Sequence, residues 1–378
     1  MNRAKVRAIW HRNPALALFA AAGLLLAASY AVFPSPDALS RRDVARIAEF
    51  RNLQQQAGEL IYPGFGSARI PLALTKGKRE YLFDHPAPPA GYEAAAAGSY
   101  SGRVAQRRGT TLPRLALTAW PVAEVPTVFL PAKGTVDEIA SLMDLGGNSS
   151  VLEAAMSGGA GTIGTEGYVL VAIHEAFHAF QQMEGDLNRL QSRLEREYGS
   201  NDDRTLERRL REAEAEVAAL LKEETEHLAS ALEAETLSRR RVEAASFLAA
   251  REARRRAVAA AAEGLSLRTV QAYESQYEWL EGMARYAEHR AVEVMPHARY
   301  QPLPETLALP DFHGYPKTGW LTPAKVREAQ RLQARPRSAV TGAAICLLLD
   351  HLGADWKGPA MKSMASPEDL LRKTLAEK

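Results

Sequence analysis

The chain has 378 residues, a formal net charge of +2 and 46% hydrophobic residues. A chain of this length can bury a sizeable core, and its balanced charge gives no reason to expect a nucleic-acid partner. Cys346 is the only cysteine, which excludes an intramolecular disulfide and a cysteine-based zinc site. Its apolar neighbours (AAICLLL) indicate that it fills a hydrophobic core.

The first 33 residues have the pattern of a membrane-targeting segment. Residues 1–13 carry four Lys or Arg residues, and residues 14–33 (PALALFAAAGLLLAASYAVF) carry no charge. Twenty uncharged residues suffice for one membrane span. The same pattern is typical of a signal peptide, and Ser29-Tyr30-Ala31 offers a cleavage site. The length of the apolar run favours a membrane anchor. Either interpretation predicts that the rest of the protein lies outside the cytoplasm, anchored to the cell membrane or exported.

Residues 34–60 predict a linker and a helix, and residues 61–135 predict strands. Ser40 and Asp43 have the spacing of a capping box at a helix start. Between residues 61 and 135, Pro and Gly separate four short apolar runs. These runs are ARIPLALT, REYLFDH, RLALTAW and TVFLP. They predict a small N-terminal β-sheet.

The most informative motif is HEAFH at residues 174–178, which follows the apolar run VLVAI. The spacing places His174 and His178 one turn apart on the same face of a helix, where two imidazoles can hold one metal ion. Glu175 lies about 60° from His178 around the helix axis, so it is poorly placed as a ligand. It is well placed to take a proton from a water on the metal. The structural alternative is a core helix with two hydrogen-bonded histidines.

Residues 186–265 predict a long, charged, coiled-coil-like helical insertion. Residues 203–262 contain no Pro or Gly, and their apolar side chains recur at helical spacing. This apolar stripe contains Leu206, Leu210, Val217, Leu221, Leu228 and Leu232. The composition favours a long helix or a helical hairpin whose charged face lies in water. The alternative is an arm that binds a protein partner or guards a cleft.

A catalytic zinc usually has three protein ligands, so a third ligand is expected outside HEAFH. Glu281 is the candidate, in the helical run YESQYEWLEGMARYAEHRAVEVM at residues 273–295. Gly282 and Ala284 beside it allow close approach of the helix that carries the two histidines. Glu288 could instead accept a hydrogen bond from a ligating histidine. The rival ligands on the same helix are Glu274, Glu278 and Glu288.

HEAFH followed by a W-L-E-G-x-A-x-Y helix resembles the gluzincin zinc peptidases, the thermolysin-like and aminopeptidase-like superfamily. The resemblance covers residues 167–185 and 273–290, with a weaker similarity at residues 338–357. About a hundred residues separate His178 from Glu281. This spacing exceeds that of thermolysin-like members and leaves the subfamily open.

The resemblance implies an α+β fold, mainly α, with a zincin-like catalytic domain over residues 61–378 that includes the sheet and the insertion. It implies Zn²⁺ bound by His174, His178 and Glu281, with Glu175 as the general base. The expected activity is hydrolysis of a peptide or protein substrate, and the N-terminal segment would bind the membrane.

Two other functions stay open from the sequence. The chain could be a membrane-anchored helical scaffold whose zinc site is structural or vestigial, or a zinc hydrolase of a non-peptide substrate, because the motif specifies the nucleophile and not the acyl group. A zinc peptidase also needs a donor for the developing oxyanion. The candidates for this donor are Tyr286, His297, His313 and Tyr315.

Overall fold

The structure is a computed structural model that describes residues 38–98, 100–113, 116–137, 163–185, 198, 203–262 and 264–377. The predicted basic region (1–13) and apolar segment (14–33) lie outside these residues, as does part of the predicted insertion. Within the described part of the chain, no helix is both long enough and apolar enough to cross a membrane.

The described chain is α+β and mainly helical, which confirms the predicted coarse fold class. The principal helices, in chain order, are α1 (Arg41–Ile61), α2 (Thr165–Glu184), α3 (Asp203–Glu214), α4 (Ala218–Glu233), α5 (Leu237–Ala261), α6 (Leu267–Tyr277), α7 (Met283–Ala298), α8 (Pro304–Leu307), α9 (Pro323–Glu328), α10 (Ala334–His351), α11 (Lys357–Lys362) and α12 (Pro367–Ala376). The segment Glu278–Gly282 between α6 and α7 is a π-helical turn, and 3₁₀ turns lie at Ala215–Val217 and Ala329–Arg331. The capping box predicted from Ser40 and Asp43 is present at the start of α1.

Six strands form one mixed sheet with the order β3-β4-β2-β1-β6-β5. The strands are β1 (Leu72–Lys76), β2 (Arg79–Phe83), β3 (Glu93–Ala94), β4 (Val104–Arg108), β5 (Thr118–Val122) and β6 (Val125–Pro131). β1 and β6 are parallel, with Leu72 opposite Val128, and the other neighbours are antiparallel. Each of the four predicted apolar runs overlaps a strand. β3 and β4 were not predicted, because EA and VAQRR lack a run of apolar residues.

The chain divides into two compact units. The first comprises Met1–Met183 and Arg290–Thr318 and contains α1, the sheet and all but the last residue of α2. All five residues of β1 are buried, so both faces of the sheet are covered at its centre. One face carries an apolar cluster that contains Ala73, Leu82, Leu112, Val122 and Phe129.

The second unit comprises Glu184–His289 and Gly319–Lys378. Within it, α4 and α5 pack together as an antiparallel helical hairpin with a three-residue connection at 234–236. His227 on α4 lies 3.0 Å from Glu243 on α5, as expected of antiparallel neighbours. α3, α5 and α6 enclose an apolar cluster that includes Leu206, Leu210 and Val258. Leu206 and Leu210, two residues of the apolar stripe predicted for the insertion, therefore lie in the hydrophobic core of the second unit.

Candidate metal centre

α2 carries HEAFH and is packed against the end of α1 through aromatic side chains. The ring of Phe177 lies 5.3 Å from that of Tyr62, and the ring of Phe180 lies 5.6 Å from that of Phe65, both in edge-on geometry. Such pairs stabilise packing beyond their buried area. Because Phe177 lies about 100° from His178 around the helix, this contact fixes the rotation of the helix without occupying the histidine face.

Hydrogen bonds also fix both ends of α2 within the first unit. Near its start, the Tyr168 hydroxyl donates to the carbonyl of Pro131 on β6 at 3.0 Å, and Arg46 donates to Thr165 at 2.9 Å. Near its end, the Gln182 amide donates to the carbonyl of Ala119 on β5 at 2.9 Å. The helix that carries the motif is therefore tied to two neighbouring strands of the sheet.

The two histidines of the motif direct the same ring nitrogen towards a common point. Nε2 of His174 and Nε2 of His178 are 3.1 Å apart, and both residues are buried. Nδ1 of His178 lies 3.0 Å from Oε1 of Gln181, an atom that can only accept. A hydrogen on Nδ1 can donate to this oxygen, and in that tautomer the lone pair of Nε2 is directed into the site. Gln181 was not singled out from the sequence, although its position three residues after His178 places it on the same helix face.

The structure groups His174, His178 and Glu281, with one ligand atom from each within 4.8 Å of the others. All three residues are buried, and together they could hold a metal ion. Two imidazoles and one carboxylate are a known donor set for catalytic zinc. Two nitrogens bound to a tetrahedral zinc at about 2.0–2.1 Å are about 3.3 Å apart, close to the separation of the two Nε2 atoms. The residues present therefore fit a zinc ion.

Glu281 lies in the π-helical turn Glu278–Gly282, where the amide of Met283 donates to the carbonyl of Glu278. Turns of this kind are frequent at functional sites. A Cβ on Gly282 would lie 2.7 Å from Cα of Gly342 on α10, so this contact requires glycine. The small residue beside the predicted ligand thus permits close helix approach. The sequence suggested the histidine helix as the neighbour at this point, whereas the contact of Gly282 is with α10.

Arg335 on α10 is the charged partner of Glu281. Nη2 of Arg335 donates to Oε1 of Glu281 at 2.8 Å, and the guanidinium lies 5.0 Å from the ring centroid of Tyr277. Burial would lower the pKa of Arg335, but the charge of Glu281 outweighs it and raises the pKa above its ordinary value. Arg335 therefore stays charged. It was not predicted, because 54 residues separate it from Glu281 and no spacing rule links them.

The rival ligands Glu274 and Glu278 belong instead to a buried ion network in the second unit. Its arginines are Arg251, Arg254 and Arg255 on α5, each no more than 1% exposed. Arg251 donates to Glu278 at 2.5 Å, and Arg254 donates to Glu274 at 2.7 Å. The charged face of this helix was predicted to lie in water. That prediction is wrong for these three arginines, because they donate to carboxylates from α4, α6, the π-helical turn and α12.

The ion network shifts the pKa values of its carboxyl groups in opposite directions. Burial raises the pKa of Glu278 to about 7, and the nearby Glu368 carboxylate adds to this effect although Arg251 opposes it. Burial also acts on Glu274, but Arg254 and Arg255 outweigh it and hold its pKa well below the usual range. The pKa of Glu368 is lowered to about 2, because Arg255 and Arg251 outweigh burial.

Glu288 and two of the candidate oxyanion donors make hydrogen bonds to described residues, and the other two candidates are exposed. Glu288 accepts from Arg285 at 3.0 Å. The Tyr286 hydroxyl donates to Asp350, and the Tyr315 hydroxyl donates to Glu49 at 3.1 Å. The remaining two candidates, His297 and His313, are exposed.

The chain was compared with known proteins. No protein-family model matches it, no curated protein matches its sequence, and no solved structure matches its fold.

Proposed function

We propose that the protein is a zinc-dependent peptidase of gluzincin type with a zincin-like catalytic domain. The observation that carries the proposal is the buried group of His174, His178 and Glu281, within reach of one ion, with Glu175 in the same helix as the histidines. A purely structural zinc site does not need a carboxylate between its two histidines, whereas hydrolysis does.

His174, His178 and Glu281 would hold the metal and leave one position open. Zinc bound there lowers the pKa of a coordinated water towards neutrality and polarises a substrate carbonyl. The Gln181 contact favours the tautomer of His178 that carries its hydrogen on Nδ1 and leaves the lone pair of Nε2 for the metal.

Glu175 is the proposed general base. The residue is 4% exposed, and helix geometry places it about 60° from His178 around the helix axis, to the side of the proposed metal position. A carboxylate in this position accepts a proton from the attacking water and then donates it to the leaving amine.

An extended peptide would bind along the edge of the sheet. β3 and β5 are the edge strands, and Gln182 at the end of α2 is hydrogen-bonded to Ala119 on β5. β5 contains Pro121, a residue that sheets accept at their edges. We propose β5 as the strand beside which a substrate backbone lies, a form of strand addition.

The test is Glu175→Gln, assayed for zinc content and for cleavage of a mixed peptide library. We expect Glu175→Gln to retain about one zinc per chain, as the wild type does, and to lose peptide cleavage. His174→Ala is the matched control and should lose both. Retained cleavage in Glu175→Gln would overturn the mechanism.

The same assay separates the other candidate functions. A zinc-loaded wild type that cleaves no peptide but hydrolyses simple esters would indicate a non-peptide substrate. A zinc-loaded wild type that hydrolyses neither would indicate a structural or vestigial site in a scaffold protein.

A further inference from the structure

We propose that Arg335 is a positioning residue for the metal centre, whose guanidinium holds the Glu281 carboxylate in the orientation that binds the metal. This inference rests on the proposed function, because it requires that Glu281 is a metal ligand. It assigns a role to a residue on α10, outside both motifs that predicted the site.

The hydrogen bond between the two side chains is compatible with metal binding by Glu281. A carboxylate has two oxygens and about four lone-pair sites. Oε1 of Glu281 accepts from Nη2 of Arg335 at 2.8 Å, which does not prevent the carboxylate from binding a cation through its other oxygen. Hydrogen bonds to metal-ligating carboxylates orient them and tune their affinity. Because both groups are charged, this bond is among the stronger ones in proteins.

Arg335 is itself held in place by an aromatic ring. Its guanidinium carbon lies 5.0 Å from the ring centroid of Tyr277, which is 3% exposed and precedes Glu281 by four residues. A cation over an aromatic face is stabilised by the ring electrons. The planar guanidinium can contact the ring and donate to the carboxylate at the same time, which the ammonium group of lysine does less well.

The position of Arg335 in its helix points to a role beyond helix stability. It is the second residue of α10, and a positive charge in the first turn opposes the helix dipole. Arg337 in the same turn has a comparable but separate partner, since its Nη1 donates to Oε2 of Glu214 at 2.9 Å. Arg337 is therefore a matched control that removes an ion pair from the same turn without touching Glu281.

The experiment measures zinc affinity by competition with a chelator, together with thermal stability, for the full chain. Arg335→Gln should weaken zinc binding ~10- to 100-fold, as loss of an outer-shell partner typically does. Arg335→Lys should weaken it less, because the charge remains. Arg337→Gln should lower the melting temperature and leave the zinc affinity of the folded protein unchanged.

Two readouts distinguish positioning from a general structural role. In a Glu281→Gln background, Arg335→Gln should cause no further loss of zinc affinity, because the two residues act through one contact. In the cobalt(II)-substituted protein, Arg335→Gln should change the visible absorption that reports ligand geometry, whereas Arg337→Gln should not. If Arg335→Gln does not fold, the same comparisons are made with Arg335→Lys.

Three results would overturn the inference while the proposed function stands. Folded Arg335→Gln could bind zinc as tightly as the wild type, or Arg337→Gln could lose as much zinc affinity as Arg335→Gln does. In the Glu281→Gln background, Arg335→Gln could cause its full loss of zinc affinity again. Failure of the proposed function is separate. A wild type that takes up no zinc overturns both, and an active Glu175→Gln variant overturns the catalytic mechanism alone.

Discussion

The side chain of Gln181 illustrates how much of the site a local sequence rule can reach. The spacing of HEAFH was sufficient to place His174 and His178 on one helix face, and their Nε2 atoms are 3.1 Å apart. Gln181, three residues later, could have been predicted from the same helical periodicity. Arg335 could not, because its contact with Glu281 depends on how two distant helices pack.

Gln181→Met should weaken zinc binding. The substitution preserves side-chain length but removes the oxygen that lies 3.0 Å from Nδ1 of His178. The imidazole thus loses a hydrogen-bond acceptor that constrains its tautomer and its orientation. We expect a loss of zinc affinity of ~10- to 100-fold, measured by chelator competition. The control is Gln182→Met, which removes the hydrogen bond to Ala119 and should leave zinc affinity unchanged. Equal affinities in the two variants would contradict the role assigned to Gln181.

Among the secondary-structure elements, the apolar runs predicted strands β1, β2, β5 and β6 but not β4. Apolar composition identifies buried strands, but β4 has the sequence VAQRR and is held by its pairing with β2 on one side and β3 on the other. No sequence pattern identifies the π-helical turn. The only hint was Gly282, and a glycine indicates close packing without specifying the backbone conformation.

Gly282→Ala should destabilise the contact between the π-helical turn and α10. The added Cβ would lie 2.7 Å from the backbone of Gly342, which no side-chain rearrangement can relieve. We expect a loss of about 1–3 kcal/mol in the free energy of unfolding and reduced zinc content, measured by urea unfolding and metal analysis. The control is Gly358→Ala on α11, where a Cβ meets no atom within 4 Å. Similar stabilities for the two variants would show that the close contact is not needed.

At the scale of the whole molecule, the charge pattern of the helical segment was misleading. A buried arginine face and a solvated one have the same sequence periodicity, so only the tertiary structure distinguishes them. Here Arg251, Arg254 and Arg255 are buried because Glu residues distant in sequence, including Glu368 near the end of the chain, meet them.

This ion network predicts a limited pH range of maximal stability. The pKa of Glu278 is raised to about 7, so its contribution is fully present below its ordinary pKa of about 4.5 and is lost as the pH rises through about 7. The pKa of Glu368 is lowered to about 2, so its contribution is present above its ordinary pKa and is lost as the pH falls towards about 2. The free energy of unfolding should therefore decline at both ends of this range.

Urea unfolding of the wild type and Glu278→Gln between pH 3 and pH 9 would measure both declines. The glutamine variant should lose less stability than the wild type as the pH rises through about 7, because its side chain cannot ionise. Its decline in acid should match that of the wild type. Parallel curves for the two proteins over the whole range would show that Glu278 does not titrate in this way.

The π-helical turn has a consequence for insertions and deletions. Its hydrogen bond spans five residues instead of four, so it accommodates one more residue than an α-helical turn. In an uninterrupted α-helix, Glu274, Glu278 and Glu281 would lie along one face. If this turn became α-helical without a deletion, every side chain on one side of it would rotate by about 100° relative to those on the other. Deleting one residue from the turn would instead restore an α-helix and keep both flanks in their present orientation. The angular position of each residue around the helix axis, and not only its identity, thus determines which glutamate is available to a metal and which remains with the arginines.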